Sequence, residues 1–158
     1  KENPGNEEEL ITTVVLSFQE IGTTDAFNVV FRDTDGEGGN PPTSFDEIVL
    51  KPNADYTCSI SLLNESVSPV ENITDEIEEE ADDHEFFLLP AGANISITRT
   101  DVDSKNLPVG LNSTWETGAA STGTVRVVLK HKPGSKAAGD AVTKGETDID
   151  LNFTAKVQ

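Results

Sequence analysis

The sequence predicts an all-β fold: an Ig-like antiparallel β-sandwich of about eight or nine strands, with one short acidic helix inserted between strands. Three observations lead to this prediction. Apolar and polar residues alternate in short runs along most of the 158 residues, residues typical of turns separate the runs, and only one stretch changes to a helical period. A closed barrel is the alternative, because alternation does not distinguish two packed sheets from one closed sheet.

The length favours one domain preceded by a short tether. A chain of 158 residues can bury one hydrophobic core without disulfide bridges. Residues 1–9, KENPGNEEE, are polar and contain Pro and Gly, so we predict a flexible tether there and a single β-sandwich domain over residues 10–158. The chain begins at Lys1 and contains no Met, so we expect that a targeting segment or lipid anchor has been removed.

Most strands are predicted from apolar residues that recur at every second position, and one, residues 86–89, from a continuous apolar run that ends at a proline. In chain order the predicted strands cover residues 10–18, 27–31, 48–50, 56–62, 86–89, 95–97, 111–115, 125–129 and 149–157. The single cysteine, Cys58, belongs to the fourth of these strands and is predicted to be a buried structural thiol. Residues 132–145 are rich in Gly, Ala and Ser, which predicts a mobile hairpin tip between the last two strands.

One acidic stretch, residues 72–89 (NITDEIEEEADDHEFFLL), is predicted to begin as a helix and to end as a strand. Ile73, Ile77 and Ala81 are four positions apart and form one stripe, which His84 continues one turn later. The asparagine or the threonine among its first three residues is suited to cap the helix. The helix is therefore expected to be held to the sandwich by this apolar stripe.

The charge of the chain limits the partners it can have. The net charge is -18 and the pI is about 4.2, so nucleic acid and anionic membrane surfaces are repelled. Residues 71–85 carry nine carboxylates and no Lys or Arg, and like charges four apart on a helix repel each other. Packing on the sheet, basic residues from the last third of the chain, or bound divalent cations would offset this repulsion.

The C-terminal end of the predicted helix is a candidate cation site. Asp82, Asp83 and Glu85 lie there beside His84, where the helix dipole disfavours carboxylates. His131 has the parity of the apolar residues of its strand, so its ring is expected on the core side. If the two histidines face each other, they are able to hold a transition metal or haem iron between them; otherwise they are partly buried polar groups at the margin of the core.

Two segments resemble the beginning of a calcium loop. Asp33, Asp35 and Glu37 occupy alternate positions in a glycine-rich segment after a strand, and Asp101 and Asp103 repeat the Asp-x-Asp spacing after another strand. Oxygen ligands at alternate positions can curl around a hard cation. Plain acidic turns built on Asx hydrogen bonds are the alternative.

No catalytic motif accompanies these candidate sites. The sequence contains no GxSxG, HExxH or phosphate-binding loop. We therefore expect a protein that is not an enzyme.

Several segments carry a resemblance to a known family. They are FRDTDGEGGNPP, LLNES, ENITDEIEEEADDHEFF, DVDSKNLPVGL, WETGAASTGTVRVVLKHKP and GETDIDLNFT, of which EEEADDHEFF and LKHKP are the most specific. Together they resemble a family of small surface or outer-membrane lipoproteins of Bacteroidota, particularly flavobacteria. The family is loosely labelled as having a type 1 periplasmic-binding fold; because that fold alternates strands with helices and this sequence does not, we predict a sandwich instead.

The resemblance implies a lipid anchor at the outer membrane or cell surface and an association with TonB-dependent receptors. It transfers no catalytic residues, and it favours His84 and His131 because they fall in its two most specific segments. The resulting prediction is a non-enzymatic module that captures a cation, a metal complex or haem for such a receptor. The alternative is an Ig-like adhesion or scaffold module stabilised by calcium.

Overall fold

The computed structural model describes residues 10–34 and 40–158, which form eleven strands and one α-helix. The predicted tether lies outside the described residues. The strands are β1 (Thr13–Glu20), β2 (Ala26–Arg32), β3 (Ser44–Phe45), β4 (Ile48–Leu50), β5 (Asp55–Asn64), β6 (Glu71–Asn72), β7 (His84–Ala91), β8 (Ile95–Arg99), β9 (Asn112–Thr117), β10 (Ser121–His131) and β11 (Glu146–Val157). The helix α1 (Ile73–Glu79) and a 3-10 turn (Ala81–Asp83) lie between β6 and β7.

The strands form two sheets, which confirms the predicted β-sandwich. One sheet has the order β3-β2-β1-β5-β9-β8, with β6 beside β5, and the other has the order β4-β11-β10-β7. Every pairing is antiparallel except that between β4 and β11. The prediction of about nine strands omitted β3 and β6 because two residues are too short to show an alternation.

The apolar faces of both sheets enclose one hydrophobic core. Phe18 of β1 lies at its centre, with its ring edge-on to that of Trp115 at a centroid distance of 4.9 Å. Cys58 is buried in the same core, as predicted, and burial raises the pKa of its thiol to about 12. A thiol that stays protonated is a poor nucleophile, which is consistent with a structural role.

Helix α1 begins and packs as the sequence predicts. Asn72 caps it by accepting a 3.0 Å hydrogen bond at Oδ1 from the backbone N–H of Thr74. Ile73 and Ile77 are buried, and Ala81 packs against the core from the turn that follows. Across residues 10–34 and 40–158, no helix combines the length and the apolar character needed to cross a bilayer.

The position of His84 differs from the prediction. His84 does not continue the helical stripe, because α1 ends at Glu79 and His84 is the first residue of β7. Repulsion between carboxylates four apart and the unfavourable dipole weaken the end of the helix. Backbone pairing of β7 with β10 is available to the same residues, so the chain leaves the helix one turn before the stripe would reach His84.

Candidate metal site

The two histidines lie side by side at one end of the sandwich. In the antiparallel pairing of β7 with β10, His84 is directly opposite His131, two residues beyond the pair formed by Phe86 and Leu129. Residues at every second position share a face of a strand, so both imidazoles project on the core side, as predicted for His131. Their ring centroids are 4.6 Å apart and their planes differ by 12°.

His84 presents one ring nitrogen to a ligand because its other nitrogen is already engaged. Its Nδ1 lies 2.9 Å from the backbone carbonyl oxygen of Glu80. A carbonyl only accepts, so Nδ1 carries the proton and Nε2 keeps its lone pair. Metal-binding histidines are commonly oriented by a hydrogen bond of this kind.

Burial keeps His84 neutral near pH 7. Burial lowers its pKa below the ordinary value, and nearby His131 acts in the same direction, whereas the Glu80 carbonyl opposes the shift. The exposed fractions of His84 and His131 are 4% and 8%. Because a neutral imidazole is the form that coordinates a metal, the site is ready to bind without losing a proton from His84.

Glu80 provides a third potential ligand. It follows the last residue of α1, its side chain is exposed, and one donor atom each from Glu80, His84 and His131 all lie within 4.8 Å of one another. Two imidazoles and a carboxylate suit zinc, copper or nickel, whereas calcium takes six to eight oxygen ligands. The two ring planes are nearly parallel and their centroids are 4.6 Å apart. A ring nitrogen binds a metal in the plane of its own ring, so one ring must rotate for both to reach a single ion at about 2 Å.

Asp82 and Asp83 do not belong to this group of three residues. Asp82 accepts hydrogen bonds from the backbone N–H of Ser104 at 3.0 Å and from its hydroxyl at 2.6 Å. Asp83 accepts at Oδ1 from the backbone N–H of Gly134, and at its carbonyl from that of Lys132. Both residues therefore connect the 3-10 turn to neighbouring loops.

Glu85 lies on the opposite face of β7 from the histidines, within a buried ion-pair network. Its carboxylate is 2.7 Å from Arg99 Nη1 and 2.7 Å from Lys132 Nζ, and the exposed fraction of its side chain is 3%. Both cationic groups also lie 5.1 Å from the centre of the Phe87 ring. Two cations thus neutralise Glu85, and its oxygens already have close partners.

Asp101 and Asp103 stabilise turns through backbone hydrogen bonds. Asp101 accepts from three consecutive backbone N–H groups, those of residues 110–112, at 2.9 to 3.2 Å. Asp103 Oδ1 accepts from the N–H groups of Lys105 and Leu107, while Lys136 Nζ lies 2.8 Å from Asp103 Oδ2. Burial opposes ionisation of Asp103, but Lys136 and the two N–H groups hold its pKa below the ordinary value.

The first calcium-loop candidate is described only at its first residue. Asp33 follows β2, and its backbone N–H donates a 2.8 Å hydrogen bond to the carbonyl oxygen of Thr12. Asp35 and Glu37 lie outside the described residues. The structure therefore brings His84 and His131 together with Glu80, and Asp101 and Asp103 lie outside that group of donor atoms.

One feature of this end of the molecule was absent from the sequence prediction, and another was predicted only in outline. Glu80 was not among the candidate ligands, because its position beside His84 depends on where the helix ends and β7 begins. The basic residues of the last third were expected to approach the acidic stretch, and Lys132 and Lys136 do so. Lys136 Nζ donates to the carbonyl oxygen of Ala81 at 3.0 Å, so contacts to the backbone and to Glu85 take the place of pairs with helix carboxylates.

Comparison of the chain with protein-family models, with curated proteins and with solved structures gives no match. The resemblance to surface lipoproteins stays a prediction.

Proposed function

We propose that the protein is a non-enzymatic module that captures a divalent transition-metal ion with His84, His131 and Glu80. In this proposal the module stands at the cell surface on a lipid anchor and passes the ion to a TonB-dependent outer-membrane receptor. The surface location and the receptor are supported by the family resemblance alone. The metal site is supported by the geometry of the three side chains.

The observation that carries the proposal is the cross-strand histidine pair. Its ring centroids are 4.6 Å apart, although 47 positions separate the two residues in the chain (131 − 84). Two rings at the margin of a core do not need polar nitrogens in order to pack. Here one carboxylate oxygen of Glu80 lies within 4.8 Å of a ring nitrogen of each histidine. The carboxylate is exposed, which gives an ion a path into an otherwise buried pair.

A single ion fits this pair better than haem does. His84 and His131 lie on hydrogen-bonded neighbouring strands, and such strands are only about 4.8 Å apart. A porphyrin ligated by both rings would have to enter between them, which would separate the strands. We therefore restrict the proposed cargo to an ion or a small metal complex.

The calcium-stabilised adhesion module has weaker support. Asp101 and Asp103 use their oxygens for backbone N–H groups and, in Asp103, for Lys136. These oxygens would have to give up existing partners before binding calcium. Among the described residues, the transition-metal site is therefore the stronger basis for a function.

Calorimetric titration of zinc into chelator-treated protein tests the proposal. We expect one ion per chain and a higher thermal unfolding midpoint with zinc. Glu80→Gln should weaken binding without loss of folding, because Glu80 is exposed; Glu116→Gln, an exposed site on the other sheet, is the charge-matched control.

The histidine variants complete the test. The chain contains two histidines, so His84→Ala and His131→Gln each remove half of the imidazole ligands and should abolish tight binding. Each variant is first shown to unfold cooperatively. Absence of heat and of any shift in the unfolding midpoint with zinc, copper, nickel and cobalt would rule the proposal out.

A further inference from the structure

Of the three candidate ligands, Glu80 is the one whose place is not fixed by strand pairing. His84 and His131 are held opposite each other by the ladder between β7 and β10, whereas Glu80 lies between the end of α1 and the 3-10 turn Ala81–Asp83. Glu80 also orients His84, because its carbonyl oxygen lies 2.9 Å from His84 Nδ1. The conformation of the turn therefore sets both the carboxylate ligand and the direction of one imidazole.

Lys136, from the loop between β10 and β11, donates a hydrogen bond to this turn. Its Nζ lies 3.0 Å from the carbonyl oxygen of Ala81. The same oxygen accepts from the backbone N–H of His84. One carbonyl group thus connects the ammonium group of Lys136 to the turn and to the first residue of β7.

The turn is a place where a cation is stabilising. Carbonyl groups at the C-terminal end of a helix carry partial negative charge, and the last turn of α1 and the 3-10 turn contain no basic residue. Glu80, Asp82 and Asp83 add carboxylates at this end. Lys136 supplies from another part of the chain the positive charge that the acidic stretch lacks.

The ammonium group of Lys136 is itself held in place. Its other partner is Asp103 Oδ2 at 2.8 Å, and the exposed fractions of the Lys136 and Asp103 side chains are 2% and 0%. Asp103 Oδ1 accepts from the backbone N–H groups of Lys105 and Leu107 at 2.8 and 2.9 Å. Displacing either charge of a buried pair leaves the other uncompensated, so the pair keeps its geometry.

We infer that Lys136 is a positioning residue of the metal site. Held by Asp103, its ammonium group fixes the turn Ala81–Asp83 and, through the turn, the Glu80 carboxylate and the orientation of His84. This inference rests on the proposed function. Groups that orient metal ligands without touching the ion typically change metal affinity about 10–100-fold when they are removed.

Replacement of the buried pair by neutral side chains tests the inference. Lys136→Met combined with Asp103→Asn removes the donor to the Ala81 carbonyl without leaving a buried carboxylate unpaired. We expect zinc to bind to this double variant about tenfold or more weakly than to the unchanged protein. Asp140→Asn is the control, because it removes ion pairs of the same loop, those with Lys132 and Lys144, and it should leave zinc affinity unchanged.

A second readout does not involve the ion. Nitrogen NMR of the metal-free protein at neutral pH reports which ring nitrogen of His84 carries the proton. We expect Nδ1 in the unchanged protein and in Asp140→Asn, and a mixture of the two tautomers in the double variant, because the Glu80 carbonyl is no longer held beside the ring. A uniform loss of stability would not change the tautomer of one histidine.

Lys136→Gln provides a second variant if the double variant does not unfold cooperatively. Its amide keeps a donor for Asp103 but lies one bond closer to the backbone than the ammonium group does. The amide is therefore too short to reach the Ala81 carbonyl as well, and weaker zinc binding is expected here too.

The outcomes separate this inference from the function on which it rests. If the folded Lys136 variants bind zinc as tightly as the unchanged protein, or if Asp140→Asn weakens binding equally, the positioning role is wrong and the three-residue site stands. An unchanged His84 tautomer in the double variant would overturn the part of the inference that concerns His84. If the unchanged protein binds no zinc, the proposed function itself fails, and the positioning role fails with it.

Discussion

His84 and Glu85 are adjacent in the chain, yet the two faces of β7 on which they lie are built differently. On the face of Glu85, a buried carboxylate is neutralised by Arg99 and Lys132, each 2.7 Å away. On the face of His84, two imidazoles lie against each other, the exposed carboxylate of Glu146 lies 3.8 Å from His131 Nδ1, and the pairing with Glu80 is loose. We call these the ion-pair face and the histidine face.

The difference distinguishes charged groups that stabilise the fold from groups that are available to a ligand. A buried charge persists only where partners compensate for its lost hydration, and every strong contact of Glu85 serves that purpose. Burial lowers the pKa of His84, so its neutral ring needs no such compensation and keeps one nitrogen available to a ligand. The acidic character of the segment therefore does not by itself locate the candidate site; the paired histidines beside Glu80 do.

The largest expected effect comes from breaking the ion-pair face. Glu85→Ala leaves Arg99 and Lys132 without their shared carboxylate in a buried setting, which should cost about 3–5 kcal/mol in the free energy of unfolding. Urea unfolding measures this loss. Zinc stoichiometry of the folded variant should stay at one ion per chain, because Glu85 projects away from the histidines.

An exposed carboxylate provides the control for that prediction. Glu116→Ala on β9 should change the free energy of unfolding by less than about 0.5 kcal/mol. Equal losses in the two variants, or a loss of zinc binding in Glu85→Ala after folding is verified, would contradict the division into two faces.

A smaller change in stability is expected on acidification, from Asp140, which pairs with Lys132 of the ion-pair face at 3.1 Å. The pKa of Asp140 is about 2, lowered first by the backbone N–H of Ala137 and then by Lys144 and Lys132. Because the pKa is lower in the folded protein than the unfolded value of about 3.9, the carboxylate stabilises the fold above that value, and this contribution is lost as the pH falls through about 2.

Asp140→Asn should remove this part of the acid dependence. Urea midpoints measured from neutral pH to about pH 2 should show a less stable variant at neutral pH, and the two curves should converge on acidification. A constant difference between the curves across this range would show that the ionised form of Asp140 contributes nothing. Zinc affinity at neutral pH serves as the readout for the histidine face and should be unchanged.

The fold was largely predictable because burial imposes a local period. The strand pattern of β5, in which Tyr56, Cys58, Ile60 and Leu62 are buried, is visible in the sequence itself. The apolar stripe of α1 was equally visible, but the sequence does not show at which residue the helix ends and the following strand begins. His84 has helical spacing from Ala81, and only the pairing of β7 with β10 determines that it begins a strand.

The site was predictable only in part because it depends on register. Parity placed His131 on the core side, whereas its alignment with His84 is a property of two strands that no local pattern connects. Glu80 required knowledge that the helix ends beside the start of β7.

The smallest expected effect is on the stability of helix α1, which ends just before Glu80. Asp75 and Glu79 are exposed and four apart within α1, so Glu79→Gln should remove their repulsion and raise the free energy of unfolding by about 0.2–0.5 kcal/mol at low salt. Glu116→Gln on β9 is the charge-matched control, because this exposed residue lies outside the helix. Urea midpoints at low salt and at about 1 M salt, where the screening length is about 3 Å, measure the difference. A gain that is equal in both variants, or that persists at high salt, would show that carboxylate repulsion does not weaken this helix.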